Sequence, residues 1–232
     1  TLEKSIFSVI NQTYKNWELY IINDNSNDKS LEIIKEKFDD NRIKLINSDK
    51  KIGPAAARNL GIRSCNGEYL SFLDSDDTWE NIFLEKIYNF AERNNYLFCC
   101  ASYKVYDLDI KIYKKSFIVP ECISYNDLLK KNSISCLTAF INIKTLGKTY
   151  MQDIVNEDYY LWIETIKKVN FAYGLKDILA TRTLSQNSLS SKKIKIILGR
   201  WKIYRNYESI GIFYSFYLMI NYIINSIIKF YL

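Results

Sequence analysis

The chain of 232 residues contains no histidine. That removes the Ser-His-Asp and Cys-His nucleophile arrangements, His-ligated metal sites and any imidazole base. Acid–base or metal chemistry must rest mainly on carboxylates. Glycine is scarce, at seven residues, and none forms a G-x-G-x-x-G run, so the dinucleotide fingerprint is missing. Gly147-Lys148-Thr149 looks like the end of a phosphate loop, but Asn142 stands where that loop needs its first glycine. No Pro/Ser/Gly-rich linker divides the chain. The five cysteines include no C-x-x-C pair. Adjacent Cys99 and Cys100 would point to opposite faces of a strand. With Cys65, Cys122 and Cys136 they read as small buried hydrophobes in a reducing cytosol. Acids are nearly absent from the end of the chain. Residues 182–232 hold eight Lys/Arg and one acid, Glu208, whereas residues 1–181 hold 24 Lys/Arg and 25 Asp/Glu. The body is close to neutral and the tail is cationic.

What is present suffices for a core. The chain is 48% apolar and 15% aromatic, which excludes wholesale disorder and fits one domain with an appendage or two small domains. Helical spacing of Leu2, Ile6, Val9 and Ile10 predicts a helix over 2–11. A strand over Trp17–Asn23, a helix around Ile33–Phe38 and a strand over Arg42–Asn47 follow. Next come a helix from Gly53-Pro54 to Arg63 and a strand over Glu68–Leu73. Thr78 reads as the cap of a helix running to about Arg93. This alternation predicts a parallel sheet with crossover helices, whose ligands bind beyond the strands' carboxyl ends. Asp24 and Asp74–Asp77 both fall there. Later strands are expected at 97–106, 110–119, 135–143 and 178–184. Helices are expected at 125–131 and 157–169, and throughout 192–232.

Four clusters carry chemistry. Asp74-Ser75-Asp76-Asp77 is either a cation site or a solvated acidic turn, because three carboxylates so close repel one another unless a cation intervenes. Asp24, in Asn23-Asp24-Asn25-Ser26, either accepts hydrogen bonds from a ribose or base or forms an Asx-turn. Gly53-Pro54-Ala55-Ala56-Ala57-Arg58-Asn59 offers small residues at a helix start and a fixed positive charge, Arg58. The alternative is a surface arginine on an alanine-rich helix. Glu157-Asp158 opens an apolar helix and is either catalytic or an ordinary pair of dipole partners.

Taken together, SVINQTY (8–14), WELYIINDNS (17–26), GPAAARNLGI (53–62) and GEYLSFLDSDD (67–77) resemble the nucleotide-binding half of a family 2 glycosyltransferase, with the GT-A fold. Asn156-Glu157-Asp158-Tyr159-Tyr160-Leu161-Trp162 resembles the family's acidic base motif, and Gln186-Asn187-Ser188-Leu189-Ser190 a segment that often follows its last core strand. The resemblance implies a bacterial surface-polysaccharide enzyme. It would move a sugar from a nucleotide-diphosphate sugar to a saccharide or lipid-linked acceptor, with inversion. It implies that Asp24 meets the nucleoside, Arg58 lies near the nucleotide and Asp74 lies beside the sugar. Asp76 would hold Mn²⁺ or Mg²⁺, and Asp158 would be the general base. Residues 1–190 would be the transferase domain, with 1–100 taking the donor and 101–190 the acceptor; 191–232 would be C-terminal helices. No nucleic-acid partner is expected. Two features depart from the family pattern. Asn23 replaces one acid, and the family's first strand with its Pro-Thr-Tyr-like turn does not precede Thr1, so a truncated N-terminus is expected. The other readings are a sugar-phosphate nucleotidylyltransferase and an inactive membrane-associated module.

Lys192, Lys193, Lys195, Arg200, Lys202 and Arg205 precede an aromatic-rich apolar stretch, 210–232, whose only charge is Lys229. This pattern suits peripheral contact with the inner face of the cytoplasmic membrane. A helix packed on the domain itself and a marginal membrane span are the alternatives.

Overall fold

The computed structural model describes residues 1–27, 30–185 and 193–231. The first part alternates as its periodicity predicts: α1 (Leu2–Ile10), β1 (Leu19–Asn23), α2 (Ser30–Lys37), β2 (Ile43–Asn47), α3 (Pro54–Ser64) and β3 (Tyr69–Ser71). Gly53 turns the chain with φ 85°, a backbone state open to glycine, and Pro54 fills the first helical turn.

The expected single parallel sheet is not formed among the described residues. β1 and β2 pair in parallel, from Leu19 beside Ile43 to Asn23 beside Asn47, as a sheet of two. A mixed sheet of seven strands holds β3 together with β4 (Thr78–Trp79), β5 (Phe98–Asp107), β6 (Ile112–Phe117), β7 (Cys122–Ser124), β8 (Phe140–Asn142) and β9 (Phe171–Leu184). Its path runs β3-β8-β5-β9-β4, with β6 beside β5 and β7 beside β9. Only β5 and β9 run parallel in it. Between β1 and β3 lies a slot of about 910 Å³, lined by Tyr20, Ile22, Leu70 and Phe72 and reaching Arg58 and Asp74. Each of these two strands turns one edge toward it without a described partner. The family resemblance implies a further strand inside the sheet, and the slot is where the described sheet is open.

Thr78 is not a helix cap. It lies in β4 opposite Thr181, and the next helix, α4 (Phe83–Asn94), starts four residues after Trp79. The Trp79 indole donates to the Leu137 carbonyl at 2.8 Å, and its backbone N–H donates to the Ser8 hydroxyl at 3.2 Å. Contacts with distant residues thus override a local capping signal. The expected strand over 135–143 is instead a short 3₁₀ turn at Cys136–Thr138 followed by β8.

The large sheet is covered on both faces. Phe98 and Cys100 of β5 point to a core built with Trp162 and Ile166 of α7 (Glu157–Val169), while Cys99, Ala101 and Tyr103 point to Phe83 and Ile87 of α4. Cys99 and Cys100 therefore occupy opposite faces, as adjacent strand residues must. Four cysteines are buried; Cys122 is exposed, contrary to expectation.

The tail is not one helix. α8 (Lys193–Lys202) runs into a π-helical turn (Ile203–Tyr207), closed by the Glu208 N–H on the Ile203 carbonyl. Ser209 then adopts φ 51°, and α9 (Ile212–Tyr231) begins. Short helices α5 (Tyr125–Lys130) and α6 (Ile143–Leu146) complete the described elements. Among the described residues no helix is long and apolar enough to cross a membrane. The QNSLS segment and Lys192 lie outside the described residues.

Candidate functional site

The site begins at the entry to α3. Each Asp24 oxygen accepts one backbone N–H: Ile52 donates at 2.6 Å and Gly53 at 3.0 Å. The Asx-turn weighed for this loop belongs to its neighbour, since Asn23 Oδ1 accepts the Ser26 N–H at 3.1 Å. Asp24 thus shapes the loop that aims α3.

One turn into α3, Arg58 joins two distant acids. Its guanidinium donates to Asp74 at 2.7 Å and to Glu157 at 2.9 Å. Burial opposes the charge on Arg58, but the neighbouring Cys136 sulfur and the two carboxylates outweigh it and raise its pKa. The expectation of a lone charge near the nucleotide therefore gains a structural part: Arg58 ties the Asp74 loop to the start of α7.

The three aspartates of 74–77 do not converge. Asp74 is paired with Arg58. Asp77 turns inward, is 5% exposed, and accepts the Thr183 N–H at 2.7 Å. Burial pushes its carboxyl up to about 7, with Asp76 and Asp74 adding to the rise. Asp74, although paired, keeps a side chain that is 45% exposed, and Asp76 is exposed to solvent. Its carboxyl is raised by partial desolvation and then by Asp74. Among the described residues no preformed group of three acids or cysteines could hold a metal ion. The arrangement leaves Asp76 as an exposed carboxylate outside the Arg58 bridge, in a field of like charge. Such a group fits a hard cation that takes its remaining ligands from water and a bound diphosphate.

Asn156 takes a left-handed backbone, φ 68°, and starts α7. Asparagine tolerates that state better than a branched residue would. Glu157 then faces Arg58. Burial and the Asp158 charge push its carboxyl up against the pull of Arg58. The Asp158 carboxylate is partly exposed and accepts the Tyr159 N–H at 2.7 Å. Glu157 and Asp158 are therefore unlike: one is engaged in the Arg58 bridge, the other is open.

Arg182 of β9 is a group the sequence reading missed. Burial works against its charge, while Tyr103, Asp77 and Asp158 favour it, so its pKa is raised. It carries a second positive charge toward Asp76, Asp77 and Asp158. A lone arginine on a strand has no motif to announce it. Cys136 was placed in the core by its type; it does lie buried, but against Arg58 and near Asp74 and Asp158.

Comparison with known proteins agrees with this architecture. Residues 1–145 match the family described as glycosyl transferase family 2. An Escherichia coli protein named UDP-Glc:alpha-D-GlcNAc-diphosphoundecaprenol beta-1,3-glucosyltransferase WfgD is 35% identical over 230 residues, spanning 99% of this chain and 89% of its own. The TarS 1–349 structure from S. aureus, in complex with UDP-GlcNAc, superposes with a TM-score of 0.69 at 16% identity, covering 88% of this chain and 63% of that one. The mannosyltransferase PcManGT from Pyrobaculum calidifontis, in complex with GDP-Man and Mn²⁺, gives 0.66 at 14% identity, covering 90% and 61%. The chain spans under two thirds of each of those two structures, and at such identities they establish the GT-A fold. The α/β architecture, the four ordered motifs and the family match lead to one statement: this chain belongs to glycosyl transferase family 2.

Proposed function

We propose that the protein transfers a hexose from a nucleoside-diphosphate sugar to a lipid-linked saccharide, with inversion, in the assembly of a bacterial surface glycan. One observation supports this reading: Arg58 bridges Asp74 and Glu157, 99 positions from Arg58, and so joins the loop that carries Asp76 to the start of the helix that carries Asp158. The relatives support the substrate class. WfgD is named for a UDP-Glc donor and a diphosphoundecaprenol-linked acceptor, and TarS was solved with UDP-GlcNAc.

In this reading residues 1–100 take the donor, residues 101–190 the acceptor, and 191–232 form the C-terminal helices. Asp24 and Arg58 hold the nucleotide side, Asp24 through the loop it shapes and any ribose contact its free lone pairs accept. Asp74 lies beside the sugar. Asp76 would hold Mn²⁺ or Mg²⁺ together with diphosphate oxygens, and the ion would offset charge on the leaving group. Mn²⁺ in the mannosyltransferase structure supports that assignment. Asp158 takes the proton of the acceptor hydroxyl. As that oxygen bonds to the anomeric carbon, the carbon–oxygen bond to phosphate breaks. A single displacement inverts the centre. Arg182 adds positive charge on the side of the β9 strand.

The exposed apolar face of α8 and α9 — Ile194, Leu198, Phe213, Phe216 and Ile220 — suits peripheral contact with the anionic inner face of the cytoplasmic membrane. It would bring the enzyme to its acceptor. The test is UDP release from UDP-glucose with a diphosphate-linked GlcNAc lipid, with and without EDTA. Metal-dependent UDP release matched by glycosylated lipid supports the reading. Release that is unchanged in EDTA would falsify the metal role, and absence of lipid product with every nucleotide sugar would reject the acceptor class.

A further inference from the structure

We infer that Arg200 is a positioning residue for sugar transfer: clamped between Tyr159 of α7 and Tyr222 of α9, it fixes the C-terminal helices to the turn that aims Asp158. The inference rests on the proposed role of Asp158 as base.

Arg200 is 2% exposed, and among the described residues no carboxylate lies within ion-pair distance of it. Its Nε has no partner, and its Nη1 reaches the Tyr204 hydroxyl at 3.4 Å. A charge buried without a counter-ion is costly, and an apolar side chain of similar length would fill the same space at less expense. Packing alone therefore does not account for an arginine. What the guanidinium does is stack. It lies 3.6 Å from the centre of the Tyr159 ring and 4.1 Å from that of Tyr222. A planar cation between two rings sets their spacing and orientation as a methionine would not.

Both rings matter by what they adjoin. Tyr159 follows Asp158 directly, and its N–H holds the Asp158 carboxylate at 2.7 Å; its hydroxyl donates to the Leu128 carbonyl at 3.2 Å. Tyr222 lies on α9. The same face of α8 fixes the approach to α7 twice more. The Asn156 side chain donates to the Ile196 carbonyl at 2.9 Å, and a Cβ on Gly199 would meet Val155 Cβ at 2.7 Å. The backbone of 155–159 is thus gripped from α8, with Arg200 at the centre. On this view the C-terminal helices belong to the catalytic apparatus as well as to the membrane face.

The experiment is a double-mutant cycle with Arg200→Met and Asp158→Asn in the full chain, with Arg200→Lys and Tyr222→Leu as milder changes. Each variant is checked by circular dichroism and melting, by UDP-glucose binding through tryptophan fluorescence, and by transfer kinetics. We expect Arg200→Met to lower kcat by about 10- to 100-fold, the scale of a displaced catalytic group, while the donor Kd stays within about twofold. Arg200→Lys should keep more activity than Arg200→Met, since an ammonium can still sit against the two ring faces although it lacks the planar fork, and Tyr222→Leu should lose less. In the Asp158→Asn background, Arg200→Met should cost almost nothing further, because both act through one group. Losses that multiply, or an unchanged kcat in Arg200→Met, overturn the inference. Should Arg200→Met fail to fold, the same cycle with Arg200→Lys decides. If Asp158→Asn by itself retains transfer, the base assignment has failed instead, and the two failures are thereby distinguished.

Discussion

The two sheets are built to different standards. β5 starts with six buried residues in succession and has neighbours on both edges and helices on both faces. β1 has five residues, four of them only half-buried, and one edge turned to the slot. Asp24 and the entry to α3 hang on the smaller sheet. Glu157 and Asp158, at the start of α7, stand on the larger one. The deeper cover is therefore found under Glu157 and Asp158. β1, with one described neighbour and four half-buried residues, has the thinner cover typical of segments that open at low cost.

Four measurements would break or sharpen this contrast. The largest effect should appear in amide hydrogen exchange. Amides of Cys99–Tyr103 should exchange at least about 10³-fold more slowly than those of Tyr20–Ile22. Equal protection would mean that the small sheet is as well supported as the large one. Next, Arg58 is the tie between the regions. Arg58→Met leaves Asp74 and Glu157 facing each other without a cation, and kcat/KM should fall by about 10²-fold; a fall below threefold would show that the bridge is dispensable. Third, Phe98→Ala should cost about 3–5 kcal/mol by urea unfolding, against about 1–2 kcal/mol for Ile21→Ala, which faces the slot and removes fewer contacts. Similar losses would erase the difference in packing.

The smallest effect concerns Asp77, beneath the acidic loop. Its folded-state pKa of about 7 lies above the ordinary 3.8. The folded protein therefore holds this proton more tightly than the unfolded chain does. The associated stability is fully present below about pH 4 and is lost as pH rises through 7. Asp77→Asn keeps an acceptor for the Thr183 N–H and does not ionise. Its stability relative to the parent should therefore rise by on the order of 1–2 kcal/mol between pH 4 and 7. Melting temperatures taken in EDTA across that range would show it; parallel curves would mean that Arg182 cancels the effect.

Much of residues 1–77 was legible because its signals are local. Gly53-Pro54 starts a helix wherever it occurs with that spacing, and WELYIIN reads as a strand from its own composition. The adjacent cysteines were legible for the same reason, since alternation on a strand needs no partner. What escaped depends on partners far along the chain. Thr78 carries a capping residue's chemistry, yet Thr181 claims it for a strand. β9 was expected from Ile178, but it starts at Phe171, because Gly174 lets the Pro120 carbonyl come close and Tyr173 pairs with both Cys99 and Cys122. The spacing of the four acids in 74–77 and at 158 suggested where charge gathers. It did not separate Asp74 on Arg58 from Asp77 in the interior, because that division is made by α3 and β9.

The π-helical turn at Ile203–Tyr207 has a consequence for the protein's history and for its tolerance of length change. Such a turn holds one residue more than the regular helix would, as after a single-residue insertion. Deleting one residue there, Asn206 for instance, would turn the Glu208-to-Ile203 bond into an ordinary helical one and leave the residues beyond near their present orientation. A deletion in the regular turns of α8 would instead rotate everything after it by about 100° around the axis. Such a deletion in α8 would carry Tyr204 away from the Leu129 carbonyl and Glu208 away from the hydroxyl of Tyr125 and the amine of Lys167. The C-terminal helices should therefore accept the loss of one residue within this turn, yet almost no insertion or deletion within the regular turns of α8 and α9.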